Sequence, residues 1–542
     1  MVSRHAHDFL AAFQDSVEHR PDSTAVWWPT GGGAYSLMSY AELGELGEEY
    51  TVALWNAGLR KGMRACVLVP PGPELGALFF ALVRIGVIPV LIDPGIAKTA
   101  LRACVAESAP EAFIGVPLAH AARVVLGWGR SSVRIPITVG RRWFWGGPTL
   151  KALCARVGEQ PPELDPDPEA LAGIAFTSGS TGPPKGVEFR GRHLGAQTRL
   201  AGQVFPIPPG MVGMSTFPPF SLAGPALGLS MVVPDMDPVH PAEADPAALI
   251  TEIDRFGVRG MFGSPALLDR LSRYCVDNDV VLSSLSVVTS AGASLDPRIA
   301  ERMRKCLKPD ALLYSGYGAT ECLPVSVIES RDLLGEARVA SENGAGTCVG
   351  VPLADNDVRI IRVDDDPIAE WSDDLLVKQG EIGEITVAGP SVSERYHNRP
   401  DATALHKIRD GDRIVHRVGD LGWLDEHGRL WFCGRKSQRV RTSHGDLNTE
   451  QVEPIANTVR GVRRTALVGV GPAGRQQPVV CVETERGVRQ SGRNRIAAEV
   501  LRLVGDRGID TVLFHPGFPV DVRHNAKIGR ERLARWASRR AR

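Results

Sequence analysis

The chain has 542 residues, 43% apolar and 23% charged, with 62 Lys+Arg balancing 62 Asp+Glu. That length exceeds what one core normally supports, and the composition excludes a disordered chain. A zero net charge argues against a nucleic-acid binder that works through overall charge.

The balance conceals a split. Residues 435–542 carry 22 Lys+Arg against 10 Asp+Glu, a net of +12, whereas the 434 residues before them carry 40 against 52. The C-terminal stretch is thus a separate electrostatic object, either an arginine-rich surface or a basic lid over a polyphosphate or an acidic partner. The nine cysteines are odd in number and contain no CxxC pair. That pattern suits a reducing cytoplasm and offers no zinc framework. Residues 1–30 show no apolar signal-peptide core.

In chain order, Ala65–Val69 reads as a strand, Pro73–Ile85 as a helix, Val87–Ile92 as a strand, Thr99–Ala106 as a helix and Ala112–Gly115 as a strand. This βαβ rhythm predicts a parallel sheet covered by helices. The uncharged run 200–234 holds seven prolines, which argues for an apolar interior wall rather than a spanning helix. Shallow contact with a membrane surface stays open. A second βαβ round runs from Ala248 to Ser290, and a third from Pro297 to Ser315. After residue 345 short strands dominate (Val358–Val363, Gly383–Val387, Leu430–Cys433), predicting a β-rich subdomain. From Arg435, strands and helices alternate in an α+β unit of ordinary domain size, with loops at 444–446 and 471–477.

Five segments carry chemistry. In Thr177-Ser178-Gly179-Ser180-Thr181-Gly182-Pro183-Pro184-Lys185-Gly186, small residues let backbone N–H groups approach a polyphosphate, and the lysine adds a mobile charge. It is not a GxxxxGK[ST] loop. In Tyr314–Glu321, which follows a predicted strand, an aromatic can stack on a base, a hydroxyl can meet a phosphate and a carboxylate can hold Mg²⁺. Ser290–Ser294 is a strand-to-turn exposing backbone to a flat ligand. Asp420 with Arg435 offers a carboxylate for ribose hydroxyls and a cation for ribose or phosphate. Near the end, Lys527 precedes a predicted helix.

In this order the segments resemble the adenylate-forming superfamily of acyl-CoA synthetases, luciferases and peptide-synthetase adenylation domains. The resemblance runs from Ser39-Tyr40-Ala41-Glu42-Leu43 to Arg530 and includes Gly383-Glu384-Ile385 and Gly389-Pro390. It implies an α/β fold: a large N-terminal domain of βαβ-type sheets plus a β-rich subdomain, residues 1–434, and a small mobile α+β C-terminal lid, residues 435–542. It implies ATP and Mg²⁺. Thr177–Gly186 would be the phosphate loop, and Gly292, Ala293, Tyr317 and Gly318 would surround adenine. Thr320 would touch phosphate, Glu321 would bind the metal, Asp420 and Arg435 would hold ribose, and Lys527 would be the catalytic lysine. Ser437 departs from the pattern, standing where many relatives carry a hinge Asp or Lys.

Two further segments, Phe217–Gly228 with Pro234–Pro238 and Phe514–Arg530, are similar to the β-lactone synthetases of bacterial long-chain olefin biosynthesis. Thr449–Pro454 and Val90–Ile96 fit the same group. That resemblance implies adenylation of a 2-alkyl-3-hydroxy fatty acid, whose own hydroxyl then displaces AMP. Phe217, Phe220, Leu222 and Leu227 would line the alkyl chamber, with His444 and His524 as candidate bases. Other pathway enzymes would be candidate partners, and the location cytoplasmic. A long-chain acyl-CoA or acyl-carrier ligase shares the first step and remains the alternative; a catalytically silent nucleotide-binding subunit is the third.

Overall fold

The computed structural model describes residues 9–93, 96, 98–164, 167–176, 183–520 and 528–540. The loop 177–182, His524 and Lys527 lie outside the described residues.

The first sheet has six strands, in the order Ile135–Thr138, Ala112–Gly115, Arg64–Leu68, Ile88–Ile92, Leu171–Phe176 and Gly186–Arg190. The first five are parallel, and the last closes an antiparallel hairpin. Ala112–Gly115 is buried at every residue, as expected when helices cover both faces of a parallel strand. Helix Pro73–Arg84 begins with proline at its first turn, where the missing N–H costs nothing.

The second sheet has nine strands. Its parallel centre comprises Leu312–Ala319, Val287–Ser290, Gly260–Phe262, Val212–Ser215, Ser230–Val232 and Thr24–Gly31. Antiparallel strands flank it at both ends. Helix Tyr40–Asn56 enters this body through a capping box: Ser39 Oγ accepts from Glu42 N–H at 3.2 Å, and Glu42 Oε2 accepts from Ser39 N–H at 2.7 Å. The uncharged run 200–234 contributes Val212–Ser215 and Ser230–Val232 to the interior of this sheet, joined by the short helix Pro218–Ala223. Among the described residues no helix is long and apolar enough to cross a membrane.

A third, antiparallel sheet packs Thr347–Cys348, Leu430–Arg435, Arg413–Leu424, Gly383–Ala388 and Asp357–Ile361 side by side. The strand Lys407–Asp410 pairs with Arg413–Leu424.

The C-terminal unit is built on Val462–Val470, Gln477–Thr484 and Thr511–Phe514. Alternation along its central strand sorts two cores. Val480 and Val482 face helix Gln490–Val504 with Ile496 and Val500, while Val479 and Cys481 face helix Arg530–Ser538 with Leu533 and Ala537.

Two local expectations change. The segment Tyr314–Ala319 does not follow a strand but is the strand: it pairs with Cys322–Glu329, leaving Thr320–Glu321 as a two-residue turn. The 444–446 segment, expected as a loop, ends in the short strand Gly445–Leu447, paired with Val440–Thr442.

Candidate active site

The parallel strands of the second sheet end together. Phe262 is in register with Ser215 and Thr289, and Ser290 with Ser315. Ligands of open α/β sheets bind at such carboxyl ends. Ala291, Gly292 and Ala293 follow Ser290 here, with Gly292 at φ +91°, a torsion that favours glycine. Gly316, Tyr317 and Gly318 lie in the neighbouring strand. The buried Ser290 Oγ has no hydrogen-bond partner among the described residues, leaving polar capacity directed at this end of the sheet.

The third sheet closes over the same end. Asp420 and Arg435 are cross-strand partners, with Arg435 Nε 3.1 Å from Asp420 Oδ1. From the second sheet, the Tyr317 hydroxyl donates to Asp420 Oδ2 at 2.7 Å. Burial and the Asp420 carboxylate push that phenol well above its ordinary range, so it stays a donor. Asp420 also raises Arg435 further. The arrangement presents a carboxylate, a phenol and a guanidinium fixed against one another, a donor set suited to ribose hydroxyls and an aromatic base. One residue on, Lys436 Nζ lies 3.0 Å from Glu384 Oε1, whose other oxygen holds the buried Arg417 at 2.7 Å.

Glu321 stands in the Thr320–Glu321 turn, and its Oε1 accepts from the Tyr396 hydroxyl at 2.5 Å. A carboxylate is a hard oxygen donor that fits Mg²⁺. Lys185 enters from the first sheet, its Nζ 3.0 Å from His406 Nε2 and 5.0 Å from the centre of the Tyr396 ring. Burial, followed by the Lys185 charge, pushes His406 down to about 4. Its neutral ring therefore accepts from Lys185 at Nε2 and donates from Nδ1 to Arg417 O at 3.1 Å. Lys407 is buried beside this group, its Nζ 5.7 Å from the centre of the Tyr396 ring, and is bonded to the Ser393 carbonyl and, at 3.2 Å, to Ser393 Oγ. Burial brings it down to about 8 although Glu321 opposes the shift.

Tyr396, His406 and Lys407 were not singled out by sequence reasoning. Their segment has no clear periodicity, and the isolated bridge between Val187 and Tyr396 spans more than two hundred residues. The signal available was indirect: a buried-type aromatic between the polar residues Glu394, Arg395 and His397.

The expected acyl residues divide. Phe217 and Phe220 stack edge-on at 5.1 Å, and Phe220 meets Phe262 at 4.6 Å, at the carboxyl end of the sheet. Leu222 lines an apolar crevice with Val26, Leu75, Phe80 and Val233. Leu227 packs instead with Met211, Leu229 and Met231. His444 is exposed, its backbone N–H donating to Thr442 Oγ1 at 3.0 Å.

Comparison with known proteins places this geometry. A family model described as AMP-binding enzyme matches residues 13–397. An olefin beta-lactone synthetase of Stenotrophomonas maltophilia is 50% identical over 547 residues, covering 98% of both chains. One from Xanthomonas campestris is 49% identical, covering 98% of this chain and 97% of its own. Among solved structures, an amide bond synthetase from Marinactinospora thermotolerans aligns with a TM-score of 0.80 at 23% identity, covering 98% of this chain and 99% of that one. An o-succinylbenzoate coenzyme A synthetase from Bacillus subtilis, solved with ATP and magnesium, aligns at 0.75 and 18% identity, covering 96% and 98%. The three sheets, the site at their meeting edge and the family match over most of the chain together make this protein a member of the AMP-binding, adenylate-forming enzymes.

Proposed function

We propose that the chain is an ATP-dependent β-lactone synthetase acting on a long-chain 2-alkyl-3-hydroxy fatty acid. The observation that carries this reading is the near-full-length similarity to two olefin beta-lactone synthetases. It is supported by the meeting of Tyr317, Asp420, Arg435, Glu321 and Lys185 at one sheet edge.

A carboxylate is a poor electrophile. Its oxygen attacks the α-phosphorus of ATP, the bond to pyrophosphate breaks, and an acyl-adenylate forms. Asp420, Tyr317 and Arg435 would orient the ribose and base. Lys185 and the 177–182 loop would hold the phosphates, and Lys527 would stabilise charge as it builds on the phosphoryl oxygens. Glu321, oriented by Tyr396, would hold Mg²⁺, which when bound neutralises triphosphate charge. In the second step the substrate's 3-hydroxyl oxygen attacks the acyl carbon and AMP leaves, closing the ring. The hydroxyl proton passes to a base. Because nucleophile and electrophile share one molecule, no second substrate pocket is required, and such tethering is worth effective molarities of ~10⁵–10⁸ M in favourable cases. Phe217 and Phe220 would meet the alkyl chains, each buried CH₂ contributing ~0.8 kcal/mol.

The body would be residues 1–434 and the lid 435–542, the lid bringing Lys527 to the site. A cytoplasmic enzyme working beside other enzymes of a hydrocarbon pathway fits this reading.

The test is incubation with ATP, Mg²⁺ and a 2-alkyl-3-hydroxy acid, with and without CoA, followed by mass analysis. Loss of water from the acid without CoA, with a lactone carbonyl band, is the expected result. An obligatory CoA adduct would establish the acyl-CoA ligase instead.

A further inference from the structure

We propose that the edge of the first sheet formed by helix Pro117–Leu126 and the loop 140–146 docks on the surface of an anionic phospholipid membrane. The stretch 112–158 contains no Asp or Glu, yet carries Arg123, Arg130, Arg134, Arg141, Arg142, Lys151 and Arg156. Among the described residues none of these seven forms an ion pair with a carboxylate, whereas arginines elsewhere in the chain commonly do so.

Apolar side chains accompany this charge on the outside of the protein. Leu118 and Val125 on the helix are 73% and 76% exposed, and Trp143 and Phe144 in the loop 52% and 67%. Large aromatics left outward beside unpaired cations form an interfacial pattern: rings enter the headgroup region while the cations meet lipid phosphates.

The loop is built to hold them there. Trp145 is buried, stacks on His120 at 5.3 Å, and donates from Nε1 to Thr138 Oγ1 at 2.8 Å. His120 Nε2 in turn bonds Ile137 O at 2.9 Å. Trp143 and Phe144 lean on Trp145 at 5.6 and 5.2 Å. Gly147, at φ +93°, closes the loop where a Cβ would lie 2.2 Å from Pro136 O. The edge strand Ile135–Thr138 thus anchors one aromatic inward and presents two outward beside Arg141 and Arg142. A protein partner would also cover aromatics, but exposed rings beside Arg141 and Arg142, in a stretch of chain with seven cations and no acid, match the uniform negative charge of an anionic leaflet.

The experiment is cosedimentation of the full chain with vesicles of phosphatidylcholine alone or with about 30 mol % phosphatidylglycerol. Anionic vesicles should bind it at least about tenfold more tightly, and about 0.5 M salt should remove most of the difference. The double variants Trp143→Ser/Phe144→Ser and Arg141→Glu/Arg142→Glu should each weaken vesicle binding about tenfold or more. Both should leave circular dichroism and ATP–pyrophosphate exchange with a short water-soluble acid unchanged. Absence of binding to anionic vesicles would overturn the proposal. So would binding that both variants retain, or a change of oligomeric state in the aromatic variant while vesicle binding stays at the wild-type level.

Discussion

At the scale of single residues, the Tyr396 hydroxyl sets the direction of Glu321. Hydrogen bonds to a charged group are worth about 1.5–3 kcal/mol, so Tyr396→Phe should slow acid-dependent pyrophosphate release by about tenfold or more while the protein stays folded. Lys527→Ala should slow the same step by ~10²–10³; release at the wild-type rate would remove Lys527 from its proposed role. His406 carries a pH signature. Its folded value is about 4 against an ordinary 6.5, and burial also lowers His416. The unfolded chain takes up these protons first, so stability is full above about 6.5 and declines as pH falls toward about 4. His406→Asn should flatten that decline by at most about 3 kcal/mol, read from urea midpoints at about pH 7 and about pH 4.5.

At the scale of elements, the site depends on a bulge. The pairing of Arg413–Leu424 with Leu430–Arg435 shifts register between Leu421 and Gly422, immediately after Asp420. A Cβ on Gly422 would fall 2.3 Å from Trp431 O and 2.7 Å from Ile385 Cδ1. Gly422→Ala should therefore cost about 2 kcal/mol of stability and raise the KM for ATP by displacing Asp420 from Arg435, measured by denaturation and by pyrophosphate exchange. The core strands were legible in the sequence because they are short apolar runs bounded by turn residues: Ala112–Gly115 occurs at its predicted limits, and Gly260–Phe262 and Val287–Ser290 fall within the predicted second βαβ round. The strand Leu312–Ala319 was legible only as far as Ser315, because its glycines resemble a turn and only the antiparallel partner Cys322–Glu329 keeps it extended. Likewise, Asp420 and Arg435 could be picked out by residue type, whereas the partnership of Tyr396 with Glu321 depends on long-range packing that leaves no local pattern.

For the whole molecule, the C-terminal unit rests on the body through a small polar seam. Arg298, clamped by Asp296, donates to Val462 O at 3.2 Å and Arg463 O at 2.9 Å. Thr347 Oγ1 donates to Glu450 at 2.7 Å. Burial, then the neighbouring Glu453, holds Glu450 up at about 7 against an ordinary 4.5. A raised acid contributes fully below its unfolded value and loses that contribution as pH rises through about 7. The seam should therefore loosen across neutrality, seen as faster tryptic cleavage in the 436–442 segment at about pH 8 than at about pH 6. Glu450→Gln, which keeps the acid neutral, should remove the difference.

The ion pairs of Arg435 with Asp420 and of Lys436 with Glu384 fasten two successive links of the chain to the body. Arg439 is tied on one side to Asp365 of the body and on the other to Asp446 of the C-terminal unit. Ser437 and Gln438 lie between these fastenings, and a swing of the unit that pivoted here would be confined to a few peptide torsions about an almost fixed point. Such a joint would have few soft degrees of freedom and would favour a small number of angular stops over a continuum of poses. The unit would then turn like a key between settings, its reach fixed in advance by where the lock is mounted.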